Sequence, residues 1–298
     1  MIVLFVLTRN EAELLRLNLA HHLGWGFDHV AIADNESTDA TQDVLRQFGD
    51  AVTATRIGDP YERYLALSRM LATIEERHGA ADWVAVSDTD EFWWTPDSDL
   101  PRLLSRVPDN IVAVNSRQKL FLPTEVDPVA GPVYCRRTFR TGGAKSPLHT
   151  SYTAGKTLYR AAWVRSHGVS SPHWSADIPH GLWRFKQVLV HHYMIDDEDS
   201  FVAKVKTLER WNPQIRDPSE TRAALDEPTP SKEQPARVLA FKTAWWRLYE
   251  AAGEAGLRDY YRKEYVISAG RLPTCLERGE LVEDTEFASF KRLNPDDS

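Results

Sequence analysis

Cysteine is scarce in this chain. Of 298 residues only Cys135 and Cys275 carry a thiol, far apart and with no CxxC or Cys/His spacing around them. That excludes a disulfide framework and a cysteine zinc site as organising features. A basic excess is missing too. The 36 Lys and Arg stand against 43 Asp and Glu, a net charge of −7, so no nucleic-acid partner is expected, since binding a polyanion takes a basic face. No apolar run approaches the roughly eighteen residues of a spanning helix. The opening stretch, 1–7, is apolar but short, and it has neither the basic start nor the small-residue cleavage site of a signal peptide. The expected setting is the cytoplasm, with peripheral contact to a membrane left open. No GxGxxG follows the first apolar run, which excludes a dinucleotide-binding dehydrogenase.

What remains is ordinary globular composition, 42% hydrophobic and 27% charged, in a chain long enough to bury a sizeable core. Residues 2–7 form a continuous apolar run, the pattern of a strand covered on both faces. Ala12, Leu15, Leu19 and Leu23 follow at helical spacing, and Gly24 and Gly26 can end that helix. Residues 30–33 read as a second strand closed by Asp34, with Ser37 or Thr38 as the next helix cap. Strands at 52–57 and 83–87 flank a helix over 61–78. Strands alternating with helices imply an α/β fold, a Rossmann-like, mostly parallel sheet flanked by helices. Its ligands are expected at the carboxyl ends of the strands, where Thr8, Asp34 and Asp88 all fall.

The second half is less regular. Strands are expected at 111–115, 156–160 and 187–190, and helices at 200–211, 236–252 and 257–265. The proline-rich segment 213–235 reads as a linker or flexible loop, and the charged tail from Glu277 as loosely packed. This divides the chain into a catalytic part, 1–212, with a nucleotide-binding portion to about residue 110, and a helical C-terminal extension, 236–298. Val238, Phe241, Trp245, Leu248 and Tyr249 form an apolar stripe on the extension, with Trp246 just off it. The stripe suits packing on the catalytic part, and the alternatives are that it helps close the acceptor site or forms a homodimer interface.

The strongest local chemistry is Asp88-Thr89-Asp90-Glu91, placed where an apolar strand ends. Two carboxylates one residue apart on such a turn can reach one hard divalent cation. A diphosphate leaving group needs such a cation to neutralise its developing charge.

Three segments together resemble a known family. They are Thr8-Arg9-Asn10-Glu11, then His22 to Val30 with Asp34-Asn35-Glu36-Ser37-Thr38-Asp39, and Trp83 to Trp93 with its DTDEF. In order and spacing they are similar to the family 2-like glycosyltransferases of the GT-A fold. A weaker echo follows in His192-Tyr193, Ser200-Phe201 and Lys204. The resemblance implies a metal-dependent transfer of a sugar from a nucleotide diphosphate sugar, UDP- or GDP-linked, to a carbohydrate, lipid or other hydroxyl acceptor. Mn2+ or Mg2+ is the implied cofactor. Thr8 and Asn10 would line the base and ribose pocket, Arg9 could stack on the base, and Asp34 would accept a hydrogen bond from it. Asp88 would lie near ribose and metal, and Asp90 would be the principal ligand. His192 is the favoured further metal ligand and Lys156 the favoured phosphate partner. Glu11 is either a first-turn helix carboxylate or a ligand contact, and His22 and Phe27 belong to packing.

A general base must deprotonate the acceptor if the reaction inverts. Asp177, Asp196, Asp197, Glu198 and Glu91 are the candidates, and no motif separates them. Two rival classes remain. A nucleotidyltransferase also needs paired carboxylates, but the turn at 9–11 lacks the glycine-rich phosphate loop of that class. A non-catalytic carbohydrate-binding protein on the same scaffold is opposed by the intact Asp34, Asp88 and Asp90.

Overall fold

The computed structural model of the chain describes residues 1–58, 63–95, 99–142, 155–168, 178–195, 197–208 and 233–288. The first half runs β1 (Ile2–Thr8), α1 (Ala12–Trp25), β2 (His29–Asp34), α2 (Thr41–Gln47), β3 (Val52–Arg56), α3 (Arg63–His78), β4 (Trp83–Asp88), β5 (Glu91–Trp94) and α4 (Leu100–Leu104). The second half runs β6 (Ala113–Leu120), α5 (Val133–Arg136), β7 (Phe139–Thr141), β8 (Thr157–Arg160), α6 (Ala161–His167), β9 (Trp183–His192) and α7 (Glu198–Lys206). It ends with α8 (Glu233–Glu264), α9 (Leu272–Glu277) and β10 (Leu281–Glu283).

The apolar opening run becomes β1, and alternation sends its side chains into two cores. Ile2, Leu4 and Val6 pack with Leu15, Leu19 and Trp25 of α1. Val3 and Phe5 pack with Leu67, Met70 and Ile74 of α3 on the opposite face. Gly24 lies inside α1. Gly26 ends the helix in the left-handed region at φ 115, where a side chain would also meet Pro101 at 2.6 Å.

One eight-stranded sheet has the order β3-β2-β1-β4-β8-β6-β9-β5. All its strands run one way except β8 and β5, which pair antiparallel with their neighbours. The α/β class, the mostly parallel sheet with helices on both faces and the helical C-terminal region are as expected. The carboxyl ends of β1, β2, β4 and β9 and the amino ends of β5 and β8 therefore share one edge.

Several details differ from the sequence reading. Both β6 and β9 run longer than their apolar stretches; in β6 the polar Ser116, Gln118 and Lys119 bond to Lys156, Glu91 and Asp284. The strand β5 was not expected. The cap of α2 is neither Ser37 nor Thr38; Ala40 precedes the helix, and Asp39 accepts from the Thr41 amide at 3.1 Å and its hydroxyl at 2.6 Å.

The described part of the tail, 277–288, is not loose either. Leu281, Phe287 and Ala288 are buried, and Phe287 sits among His21, Phe92, Trp94, Tyr134 and His191 of the main core. Asp284 closes this region with Lys119 at 2.8 Å and Arg140 at 2.6 Å. Burial works against its charge, but those two hydrogen bonds bring the carboxyl down to about 2.

Helix α8 breaks at Gly253, with φ 63 and ψ −161, so two helical halves meet there much as expected. Trp245, Trp246, Leu257, Tyr261 and Tyr265 bury with Phe201, Val202 and Val205 of α7. Trp246 is thus inside, because two packed neighbours widen the buried arc beyond a single stripe. The side chains of Val238 and Phe241, and residues 213–232 of the expected linker, lie outside the described residues. Among the described residues no helix is long and apolar enough to cross a membrane.

A candidate nucleotide and metal site at the sheet edge

Register builds the site. Thr8 pairs with Asp34, and Leu7 pairs with Asp88, so the ends of β1, β2 and β4 lie side by side. Glu91 at the start of β5 pairs with His192 at the end of β9. Thr8, Asp34, Asp88, Asp90, Glu91, Lys156 and His192 are brought to one sheet edge although they span the chain.

On the side of β1 and β2, Asp34 is fully buried. Its Oδ1 accepts from the Ser37 amide at 2.9 Å and its Oδ2 from Gln42 at 2.6 Å, with Arg56 at 4.0 Å. Arg9 donates to the carbonyl and side-chain oxygens of Asn35 at 3.0 and 2.7 Å, which ties its guanidinium to the loop after β2. Asn10 takes a left-handed backbone, φ 54, and its side chain accepts from the Thr38 amide at 2.7 Å while its own amide donates to Ser37. The loops after β1 and β2 thus hold each other. The Thr8 hydroxyl is buried between them with no hydrogen-bond partner.

On the acidic side, the carboxylates part company. Asp88 is half-exposed and accepts from Lys156 at 2.9 Å. Lys156 is completely buried and meets Glu91 at 2.9 Å as well. Burial opposes its charge, yet Asp88 and Glu91 together hold its pKa above the ordinary lysine range. Glu91 is also buried and is fully engaged: Ser87, the Asp88 amide, Lys156 and Gln118 all reach its carboxylate at 2.9 to 3.1 Å. Such a carboxylate supports the turn.

Asp90, expected on an open turn, is only 6% exposed. Its Oδ1 is paired with His192 Nε2 at 3.4 Å, and Lys204 of α7 stands 3.9 Å from Oδ2. Burial raises Asp90, but the charges of His192 and Lys204 outweigh it and hold the carboxyl below its usual range. Gln118 lies 2.8 Å from His192 Nδ1, and Nε2 is the nitrogen that faces Asp90. Glu11, partly buried at the start of α1, is raised to about 7 by burial and then by the Asp90 charge.

Among the described residues no group of three His, Cys, Asp or Glu side chains is gathered to hold a metal ion. Asp88, Asp90 and His192 are therefore not assembled as a three-ligand centre. A hard cation that completes its shell with phosphate and water needs only one or two carboxylates, however. Asp90, buried and held anionic beside the half-exposed Asp88, fits that requirement.

Of the base candidates, Asp197 caps α7 by accepting from the Ser200 amide at 2.7 Å, and Glu198 is tied to Arg258 and Arg262 at 3.3 and 2.8 Å. Asp177 and Asp196 lie outside the described residues. Alternation along β9 separates the two histidines as expected. His192 enters the site, and His191 turns into the aromatic core against Trp94, Phe121 and Phe287.

Sequence reasoning overlooked Gln118, His21 and Asn18, and it assigned His22 to packing. Asn18 and His22 lie one turn apart on the inner stripe of α1, and a buried polar pair on an otherwise apolar stripe was the available signal.

No family model matches the chain, and no curated protein does. Among solved structures it is similar to S. aureus TarS 1-349 in complex with UDP-GlcNAc, at 11% identity over 88% of this chain and 91% of that one, with a TM-score of 0.42. It is also similar to glucosyl-3-phosphoglycerate synthase from Mycobacterium tuberculosis in complex with Mn2+, UDP and glucosyl-3-phosphoglycerate, at 17% identity over 55% and 58% of the two chains, TM-score 0.32. A mycobacterial protein matches at 16% identity over 72% of this chain and 74% of that one, TM-score 0.37. These superpositions are loose, and the functional reading rests on this chain's own residues.

Proposed function

We propose that this chain is a metal-dependent glycosyltransferase of the GT-A type that takes its sugar from a nucleotide diphosphate donor. The observation that carries the reading is the buried, anionic Asp90, paired with His192 and faced by Lys204, on the same sheet edge as Asp34, Asp88 and Lys156. The DTDEF and DNESTD segments lie on that same edge.

In this reading the base and ribose enter between the loops after β1 and β2, against Thr8, Asn10 and Asp34, with Arg9 stacking. Asp90 and Asp88 hold the Mn2+ or Mg2+, which supplies charge neutralisation for the departing diphosphate. His192 orients the Asp90 carboxylate. Lys204 adds a positive charge on the side of α7, where a diphosphate would lie. Lys156 holds Asp88 and Glu91 in place. The acceptor is a hydroxyl, and the catalytic part is 1–212 with the C-terminal helices packed on it.

Asp90→Asn keeps the shape of the turn and removes the charge. Donor hydrolysis and transfer, assayed across a panel of UDP- and GDP-sugars with Mn2+, should fall by about 10²–10³-fold, the usual effect of losing one preorganised charge. Full activity in that variant that also survives EDTA would refute the metal-dependent reading.

A further inference from the structure

The turn that carries Asp90 has no regular strand partner on its outer side, because β5 is the last strand of the sheet. Helix α1 covers that side. The Asn18 side-chain amide donates to the carbonyls of Thr89 and Glu91, both at 2.9 Å, one on each side of Asp90. His22 Nδ1 faces the Asn18 carbonyl at 2.8 Å and its side-chain oxygen at 3.0 Å, so this nitrogen carries the proton. That leaves Nε2 to accept from the Trp93 amide at 3.1 Å. Both side chains are entirely buried.

We propose that Asn18 and His22 are positioning residues for the site, holding the Asp90 carboxylate where a divalent cation and diphosphate meet it. The inference rests on the functional reading above. Two donations to carbonyls flanking one residue leave that residue little freedom to rotate. His22 in turn fixes the Asn18 amide in the orientation that donates to the turn. The same helix begins at Glu11 beside the nucleotide loops, so α1 ties the nucleotide half of the site to its acidic half. Outer contacts of this kind act on a metal through the ligand they orient.

The test uses the full chain and Mn2+, titrated by the electron paramagnetic resonance signal of the free ion, with UDP or GDP present, whichever raises the melting temperature. Circular dichroism at the working temperature confirms that each variant is folded. Asn18→Ala and His22→Leu should weaken Mn2+ binding at least about tenfold, the lower range for outer-shell substitutions. His22→Gln, which keeps an acceptor for the Trp93 amide, should bind Mn2+ within a few-fold of wild type. A role confined to stability would lower the melting temperature of the first two while leaving Mn2+ affinity in the folded protein unchanged, and that result overturns the proposal. If Asn18→Ala does not fold, His22→Leu against His22→Gln decides alone. Asp90→Asn is the control. Mn2+ binding unaffected by it would overturn the metal reading itself, and binding lost in it but kept in Asn18→Ala and His22→Leu would overturn this inference only.

Discussion

Replacing Lys156 with methionine keeps most of the side chain's volume and removes its charge from between Asp88 and Glu91. Asp88 is half-exposed, so water takes over its solvation and little is lost there. Glu91 is the group at risk, since its side chain is 1% exposed and Lys156 is its cationic partner at 2.9 Å. Burial already pushes Glu91 above its ordinary 4.5, with Lys156 opposing the rise. Once that opposition is gone, Glu91 escapes the penalty by taking up a proton on folding. Doing so at pH 7 from an unfolded value of 4.5 costs about 3.4 kcal/mol, at 1.36 kcal/mol per pH unit. That is an upper limit on the charge part of the loss, and it agrees with the about 3–5 kcal/mol seen when one partner of a buried pair is removed. The sign follows from the raised pKa: the destabilisation is small near pH 4.5 and grows as pH rises. Urea unfolding followed by tryptophan fluorescence should give a loss of about 3 kcal/mol at pH 7 that shrinks as pH falls toward 4.5. Adding Glu91→Gln should recover most of the loss, because the carboxamide carries no charge to strand. A loss below 1 kcal/mol, or one that does not change with pH, would refute the assignment of Lys156 and Glu91 as a buried ion pair.

Three further outcomes are expected. His191 is buried with neither ring nitrogen hydrogen-bonded, and burial holds it at about 3 against an ordinary 6.5. Its neutral form therefore loses stability as pH falls below 6.5, by about 2 kcal/mol at pH 5. His191→Phe should remove that part of the acid sensitivity in pH-dependent melting, and an unchanged profile would refute it. Phe287→Ala should destabilise by about 3–5 kcal/mol through the cavity it leaves, and the corresponding drop in the unfolding midpoint shows whether residues 281–288 belong to the core. Asp34→Ala should weaken nucleotide diphosphate binding by about 1–3 kcal/mol by calorimetry, and unchanged affinity would place Asp34 outside the pocket.

Much of this was legible in the chain itself. A run such as 2–7, with no polar residue at any second position, is stable only with both faces covered, so the central strand and its flanking helices follow from composition. The alternation of such runs with helical stripes sets the direction of the strands, and with it the edge where Thr8, Asp34 and Asp88 gather. Asp88 and Asp90 were legible because two carboxylates one residue apart, on the turn where an apolar strand ends, suit a hard cation. What periodicity could not reach were partners separated by long stretches of sequence. Lys156 meets Asp88 across 68 residues and Phe287 enters the core beside His21, contacts that depend on which strands become neighbours. The buried state of Asp90 is of the same kind. A turn residue reads as solvent-exposed until β9 brings His192 alongside, α7 brings Lys204, and Asn18 on α1 takes hold of the carbonyls on either side.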